Sequence, residues 1–274
     1  MKNLVVRSLS GIVYVALIIG AILAGESCFF ALTLLLGLLA AVEFEHIVLT
    51  PINSVWHWAV RILDTVTALA VITLPLFLEL PEAIGDTCLG IVLLYTLVRF
   101  TLALYDKSPT AYRDCAWSCL MLAYVALPLA MLNLLTHIAP QWQLIVLTMF
   151  IMIWLNDTGA YCVGSMIGKN RMFPRLSPKK SWEGFAGGLV CCIGAGIGAY
   201  YMNADIFSLP AWIAFGIIVC AFSTWGDLFE SLLKRSHAIK DSGNLIPGHG
   251  GILDRIDSML FVSMATVLFY LIMR

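Results

Sequence analysis

Nine stretches of about twenty apolar residues follow one another along this chain, and nothing constrains its fold more. A helix needs roughly that many apolar residues to cross a bilayer. The runs fall near 9–25, 28–49, 58–80, 84–104, 115–137, 142–163, 184–202, 209–233 and 252–273. Over the 274 residues 61% are hydrophobic and 12% charged, against about 25% charged in ordinary soluble domains. A soluble fold of this size could not bury so much apolar surface. The expected fold is therefore an all-α polytopic membrane protein of about nine transmembrane helices.

The few charges are distributed very unevenly. Of the 16 Lys and Arg residues, all but Arg274 fall on one side once the N-terminus is placed in the cytoplasm. Basic residues collect in cytoplasmic segments, so this reading puts the C-terminus on the opposite side. Two cytosolic loops stand out as long and basic, Gly164–Glu183 and Lys234–Leu253. Residues 1–140 read as a transmembrane scaffold of five spans, and 141–274 as the region carrying the chemistry. Glu43, Glu45, His46 and Asp64 are the main polar features of the first five spans. They read as scaffold, with Asp64 spaced to pair with Arg61 at i, i+3. The eight cysteines form no CxxC pair and read as small buried hydrophobes.

Acids inside membrane spans are costly and are read as functional. Span six ends in WLNDTGAY, with Asp157. Span eight carries GDLFES and span nine opens with LDRIDS. Each holds the pattern Asp-x-x-acid-Ser: Asp227, Glu230, Ser231 and Asp254, Asp257, Ser258. On a helix these positions share a face. Asp227 lies seven residues, about 10 Å along a helix, before Lys234, which places it just inside the membrane edge. Facing carboxylates with oxygen-only company suit a hard divalent cation, Mg²⁺ before Zn²⁺. The plainer reading neutralises them with Lys234, Arg235 and Arg255. Ahead of spans seven and nine stand SPKKSWEG and PGHGG, where helix N-termini and close-approaching glycine amides favour anions. GSMIGKN is one residue short of a P-loop and follows an apolar helix, so it is set aside. The layout is that of phosphoryl or nucleotidyl transfer at a membrane surface.

SLLKRSHAIKDSGNLIPGHGGILDRID resembles the signature of the phosphatidate cytidylyltransferases (CDP-diacylglycerol synthases). DTGAY, GKN, SPKKSWEG and GDLFES resemble the same family's blocks, in the same order. The resemblance is dense over Asp157–Ser258 and only topological before residue 140. It implies transfer of CMP from CTP to phosphatidic acid, giving CDP-diacylglycerol and pyrophosphate. It assigns Asp227 and Asp254 to a catalytic Mg²⁺, with K⁺ alongside; Asp157, Glu230 and Asp257 read equally as further candidate ligands or as structural supports of the site. Ser177, Lys180, Ser181 and Glu183 would belong to the nucleotide site. Lys234, Arg235, Lys240, His249 and Arg255 would line the phosphate pocket, although Lys234 and Arg235 also suit plain positive-inside anchoring. The expected partners are CTP, phosphatidic acid, the bilayer and a second copy in a homodimer, with no nucleic acid. The expected location is a bacterial inner membrane, with the active site facing the cytoplasm. A related enzyme using another lipid phosphate is the rival within this class. A secondary transporter, with the acids as ion sites, is the rival outside it.

Overall fold

The computed structural model describes residues 2–49, 55–77, 81–202, 205–243, 245 and 250–274. Its helices follow the apolar runs: α1 (Lys2–Ala24), α2 (Glu26–Val48), α3 (Val55–Phe77), α4 (Pro81–Tyr105), α5 (Ala111–Ile138), α6 (Trp142–Ile167), α7 (Trp182–Met202), α8 (Leu209–Ser236) and α9 (Leu253–Met273). Eight of them are long and apolar enough to cross a membrane, and α1 contributes the shorter apolar stretch Leu9–Ala24. The polytopic helical class expected from the sequence is the one observed. Within α5 the residues Leu122–Ala126 form a π-helical turn just ahead of Pro128. Proline lacks an N–H and crowds the carbonyl four residues back. The wider turn lets the rod continue past it.

The chain divides into two compact units, residues 1–138 with 241–253, and residues 139–240 with 254–274. The first unit packs Phe29 and Phe44 of α2, Ile72 of α3 and Leu129, Leu132 and Leu135 of α5 in its core. Gly37 lets α2 approach Ile72 and Leu129, where a Cβ would collide. Polar groups inside this unit are matched to one another. Asn133 donates to the Ile72 carbonyl at 3.0 Å and accepts from Thr33 at 2.9 Å. Asp64 is fully buried, and its carboxylate is held from α4 and α5: Arg99 Nε at 3.0 Å, Tyr95 Oη at 2.7 Å and Ser118 Oγ at 2.5 Å. The i, i+3 spacing points to Arg61, but a carboxylate at this depth needs charge and donors that reach the same depth. Neighbouring helices provide them.

The second unit is built on close helix contact. Glycines 184, 187 and 188 run along one face of α7, and a Cβ there would strike the α6 carbonyls of Ala160, Gly159 and Asn156 at 2.8–2.9 Å. Further on, Gly196 of α7 faces the Trp212 carbonyl and Gly216 of α8 faces that of Cys192. Such small-residue seams let membrane helices pack backbone to backbone. Between α6 and α7 the chain forms an antiparallel hairpin, β1 (Arg171–Phe173) with β2 (Ser177–Ser181), with Arg171 opposite Ser181. Hydropathy shows this segment only as a basic loop. The end of α8 is a Schellman-type cap. Ala238 N–H bonds to the Arg235 carbonyl and Ile239 N–H to that of Lys234, with Ala238 at φ 56. A non-glycine residue in this left-handed region costs about 1–2 kcal/mol.

Candidate active site

The second unit concentrates its acids where α8 and α9 meet. Gly226 is the reason they can. A Cβ on it would lie 2.6 Å from the Asp257 carbonyl and 3.0 Å from Ser258 Cα. The α9 backbone can therefore come against α8 beside Asp227, and Ser258 Oγ fixes the contact by donating to the Ser223 carbonyl at 3.1 Å. Asp227 and Glu230 share one face of α8, and Asp257 enters from α9. Carboxylate oxygens of these three residues lie within 4.8 Å of one another.

Two lysines neutralise this cluster from different directions. Lys180, at the end of β2, reaches Asp227 Oδ2 at 2.6 Å and donates to the Thr224 carbonyl at 3.4 Å. Lys234, one helical turn beyond Glu230, places its Nζ 2.5 Å from Glu230 Oε2 and 2.6 Å from Asp254 Oδ1. The side chains of Glu230 and Asp254 are only 1% and 7% exposed. Glu230 Oε1 is buried and takes no hydrogen bond. A buried carboxylate oxygen left over beside two more carboxylates matches the donor set of a hard divalent cation.

A cavity of about 270 Å³ opens beside Asp227, between α6, the hairpin, α7 and α8. Asp157, Lys179, Lys180, Ser181 and Thr224 give it polar walls, and Tyr161 and Phe185 give it aromatic ones. Apolar and aromatic walls with a few converging polar groups are the make-up of small-molecule pockets in general.

The sites singled out in the sequence divide accordingly. Asp227, Asp157, Lys180 and Ser181 line the cavity, and Glu230 and Asp257 join Asp227 in the carboxylate cluster. Asp254 stands on Lys234 instead of joining that group. Ser181 Oγ accepts from Gly184 N–H at 3.1 Å, as the N-cap of α7. The Glu183 carboxylate takes the backbone and side-chain N–H groups of Asn170 at 2.7–3.2 Å, closing the base of the hairpin. Ser177 begins β2 opposite Phe173 and is outside the cavity lining. Arg235 is exposed and donates to the Ile239 carbonyl at 3.1 Å. Lys240 and Arg255 are exposed, and His249 lies outside the described residues.

Asn156 went unread in the sequence. It is 2% exposed on the cavity wall and donates to Ser223 Oγ at 3.3 Å. Its place beside Asp157 in a membrane span was the available signal.

Carboxylates able to share a cation, lysines able to meet phosphate and a helical body made for lipid equip a membrane enzyme of phosphoryl or nucleotidyl transfer. The sequence decides between these: residues 5–273 match the profile of the cytidylyltransferase family, and the chain belongs to that family. It is a nucleotidyltransferase. It is 32% identical over 263 residues to the phosphatidate cytidylyltransferase of Staphylococcus haemolyticus strain JCSC1435, covering 94% of this chain and 95% of that relative. The enzyme of the same name from Staphylococcus saprophyticus is 30% identical with the same coverage. That from Staphylococcus aureus strain COL is 38% identical over 174 residues, 63% of this chain and 62% of the relative.

Proposed function

We propose that this protein transfers the cytidylyl group of CTP to phosphatidic acid, forming CDP-diacylglycerol and pyrophosphate. A phosphate oxygen of the lipid attacks the α-phosphorus of CTP, and the bond from that phosphorus to the bridging oxygen of the β-phosphate breaks. No general base is needed at the attacking oxygen, because a phosphate monoester is largely ionised near neutral pH. The difficulty is bringing two anions together.

The observation that carries the reading is the carboxylate cluster with its unmatched Glu230 oxygen, beside a cavity lined by Lys180 and Asp227, in a chain of this family. Asp227, Glu230 and Asp257 would hold Mg²⁺. When bound, the ion offsets the phosphate charge. Asp254, bound to Lys234 Nζ, belongs to the same charge network through that lysine. Lys180 can serve a phosphate oxygen as readily as it serves Asp227. The aromatic walls of the cavity suit the cytosine ring.

A site facing the cytoplasm, residence in a bacterial inner membrane and a homodimeric state are parts of the same proposal. The first is supported by the one-sided distribution of Lys and Arg, the second by the bacterial relatives and the third by the family resemblance.

The test uses purified protein in detergent–phospholipid micelles with CTP labelled at the α-phosphate. Label is expected to enter the lipid phase only when phosphatidic acid and Mg²⁺ are both present, and EDTA should abolish it. Labelling of a polyprenyl phosphate but not of phosphatidic acid would overturn the substrate assignment.

A further inference from the structure

We propose that Glu43 is a positioning residue for the transfer reaction, acting through the chain that leads into α9. Its part in turnover rests on the function proposed above; the clamp it forms does not. Glu43 lies in the last two turns of α2 and is half-buried. Its two oxygens are divided between two successive backbone donors: Oε1 accepts from Ile252 N–H and Oε2 from Leu253 N–H, both at 2.9 Å. Ser242 Oγ adds a third bond to Oε2 at 3.2 Å, across 199 residues of sequence.

The backbone has been shaped around this carboxylate. A Cβ on Gly243 would lie 2.7 Å from Oε1, and one on Gly251 would lie 2.5 Å from Oε2. A side chain at either place would have to displace the Glu43 carboxylate from the hydrogen bonds that hold it. The first N–H groups of a helix have no acceptor within it, and negative charge is favoured at that end. Glu43 meets both conditions, and three hydrogen bonds offset the cost of an acid within an apolar span. The residue peptide-bonded to Leu253 is Asp254, which shares Lys234 with Glu230. Glu43 thus holds the amides of the two residues that immediately precede Asp254 in the chain.

The test combines amide hydrogen exchange with a double-mutant cycle on the full-length protein. Glu43→Gln removes one acceptor and turns an N–H toward an N–H. Exchange at Ile252 and Leu253 is expected to accelerate at least tenfold, while α6 and α7 keep their protection. The Mg²⁺ concentration for half-maximal turnover should rise by about tenfold, because Asp254 shares the Lys234 ammonium with Glu230 of the carboxylate cluster, and supporting contacts of that kind tune metal affinity on this scale. A purely structural loss would lower the active fraction without moving that concentration. Gly243→Ala should impair turnover and lower the melting temperature in the wild type. In a Glu43→Ala background it should add little, because the group its Cβ would strike is gone. Unchanged exchange at Ile252 and Leu253, an unshifted Mg²⁺ requirement, or an equal cost of Gly243→Ala in both backgrounds would overturn the proposal. If the wild type transfers no CMP, the proposed function fails, and the clamp is still judged by exchange and by melting across the cycle.

Discussion

Asp227→Asn is expected to lower kcat by roughly 10³-fold, the scale on which groups that stabilise transition-state charge act, while leaving the protein folded. The substitution keeps the shape of the side chain, and its amide oxygen can still accept from Lys180. What it removes is the charge common to three parts of the site. Asp227 faces Lys180 at 2.6 Å, shares the carboxylate cluster with Glu230 and Asp257, and stands at the cavity wall. Among the described residues no other side chain belongs to all three. The measurement is single-turnover transfer of labelled CMP at saturating CTP, with the melting curve in detergent as a control on folding. Activity within tenfold of wild type in a folded Asp227→Asn protein would remove Asp227 from the centre of the mechanism.

The second large effect falls on stability. Lys234→Met is expected to cost roughly 3–5 kcal/mol, the penalty for breaking a buried ion pair and stranding its partner. Here one ammonium serves two carboxylates, Glu230 and Asp254, both nearly fully buried. Methionine fills similar space but removes the ammonium that Glu230 and Asp254 share. Adding Glu230→Gln to Lys234→Met should recover part of the loss, because one of those carboxylates is then neutral. Lys234→Arg should recover less than its charge implies, since a planar guanidinium does not reproduce a point charge between two acids. Thermal unfolding followed by tryptophan fluorescence reads all three variants. A Lys234→Met protein as stable as wild type would show that the carboxylates find their neutralisation elsewhere.

What the sequence discloses here is governed by the range of the signal. A membrane helix announces itself in one unbroken run of residues, so the helices from Glu26–Val48 to Leu253–Met273 could be read directly. The Asp-x-x-acid-Ser repeat is also local, and it correctly puts Asp227 with Glu230 on one helix face. The pairing of faces between helices is not local. Spacing alone treats Asp254 and Asp257 alike, yet one turns to Lys234 and the other to Asp227. The choice depends on the azimuth of α9 against α8, which Gly226 and Ser258 set by contact.

The same limit explains Asp64, whose partner Arg99 comes from another helix, and Glu43, whose partners lie 199–210 residues away. The hairpin at Arg171–Ser181 was hidden for a different reason. It is short and largely exposed, so it carries no apolar period. Ser181 and Glu183, which the family resemblance assigns to nucleotide, each hold a backbone group beside the cavity: one caps α7 and the other closes the hairpin. The placement of Lys180 depends on that framework.

One measurement tests the central claim most directly: parallel reactions with phosphatidic acid and Mg²⁺, one with CTP labelled at the α-phosphate and one with CTP labelled at the γ-phosphate. Cytidylyl transfer carries the α-label into the lipid and leaves the γ-label in aqueous pyrophosphate, and that is the expected result. Lipid labelled from the γ-position would show phosphoryl transfer instead. Folded protein that leaves both labels in the aqueous phase would contradict the assignment of phosphatidic acid as the acceptor.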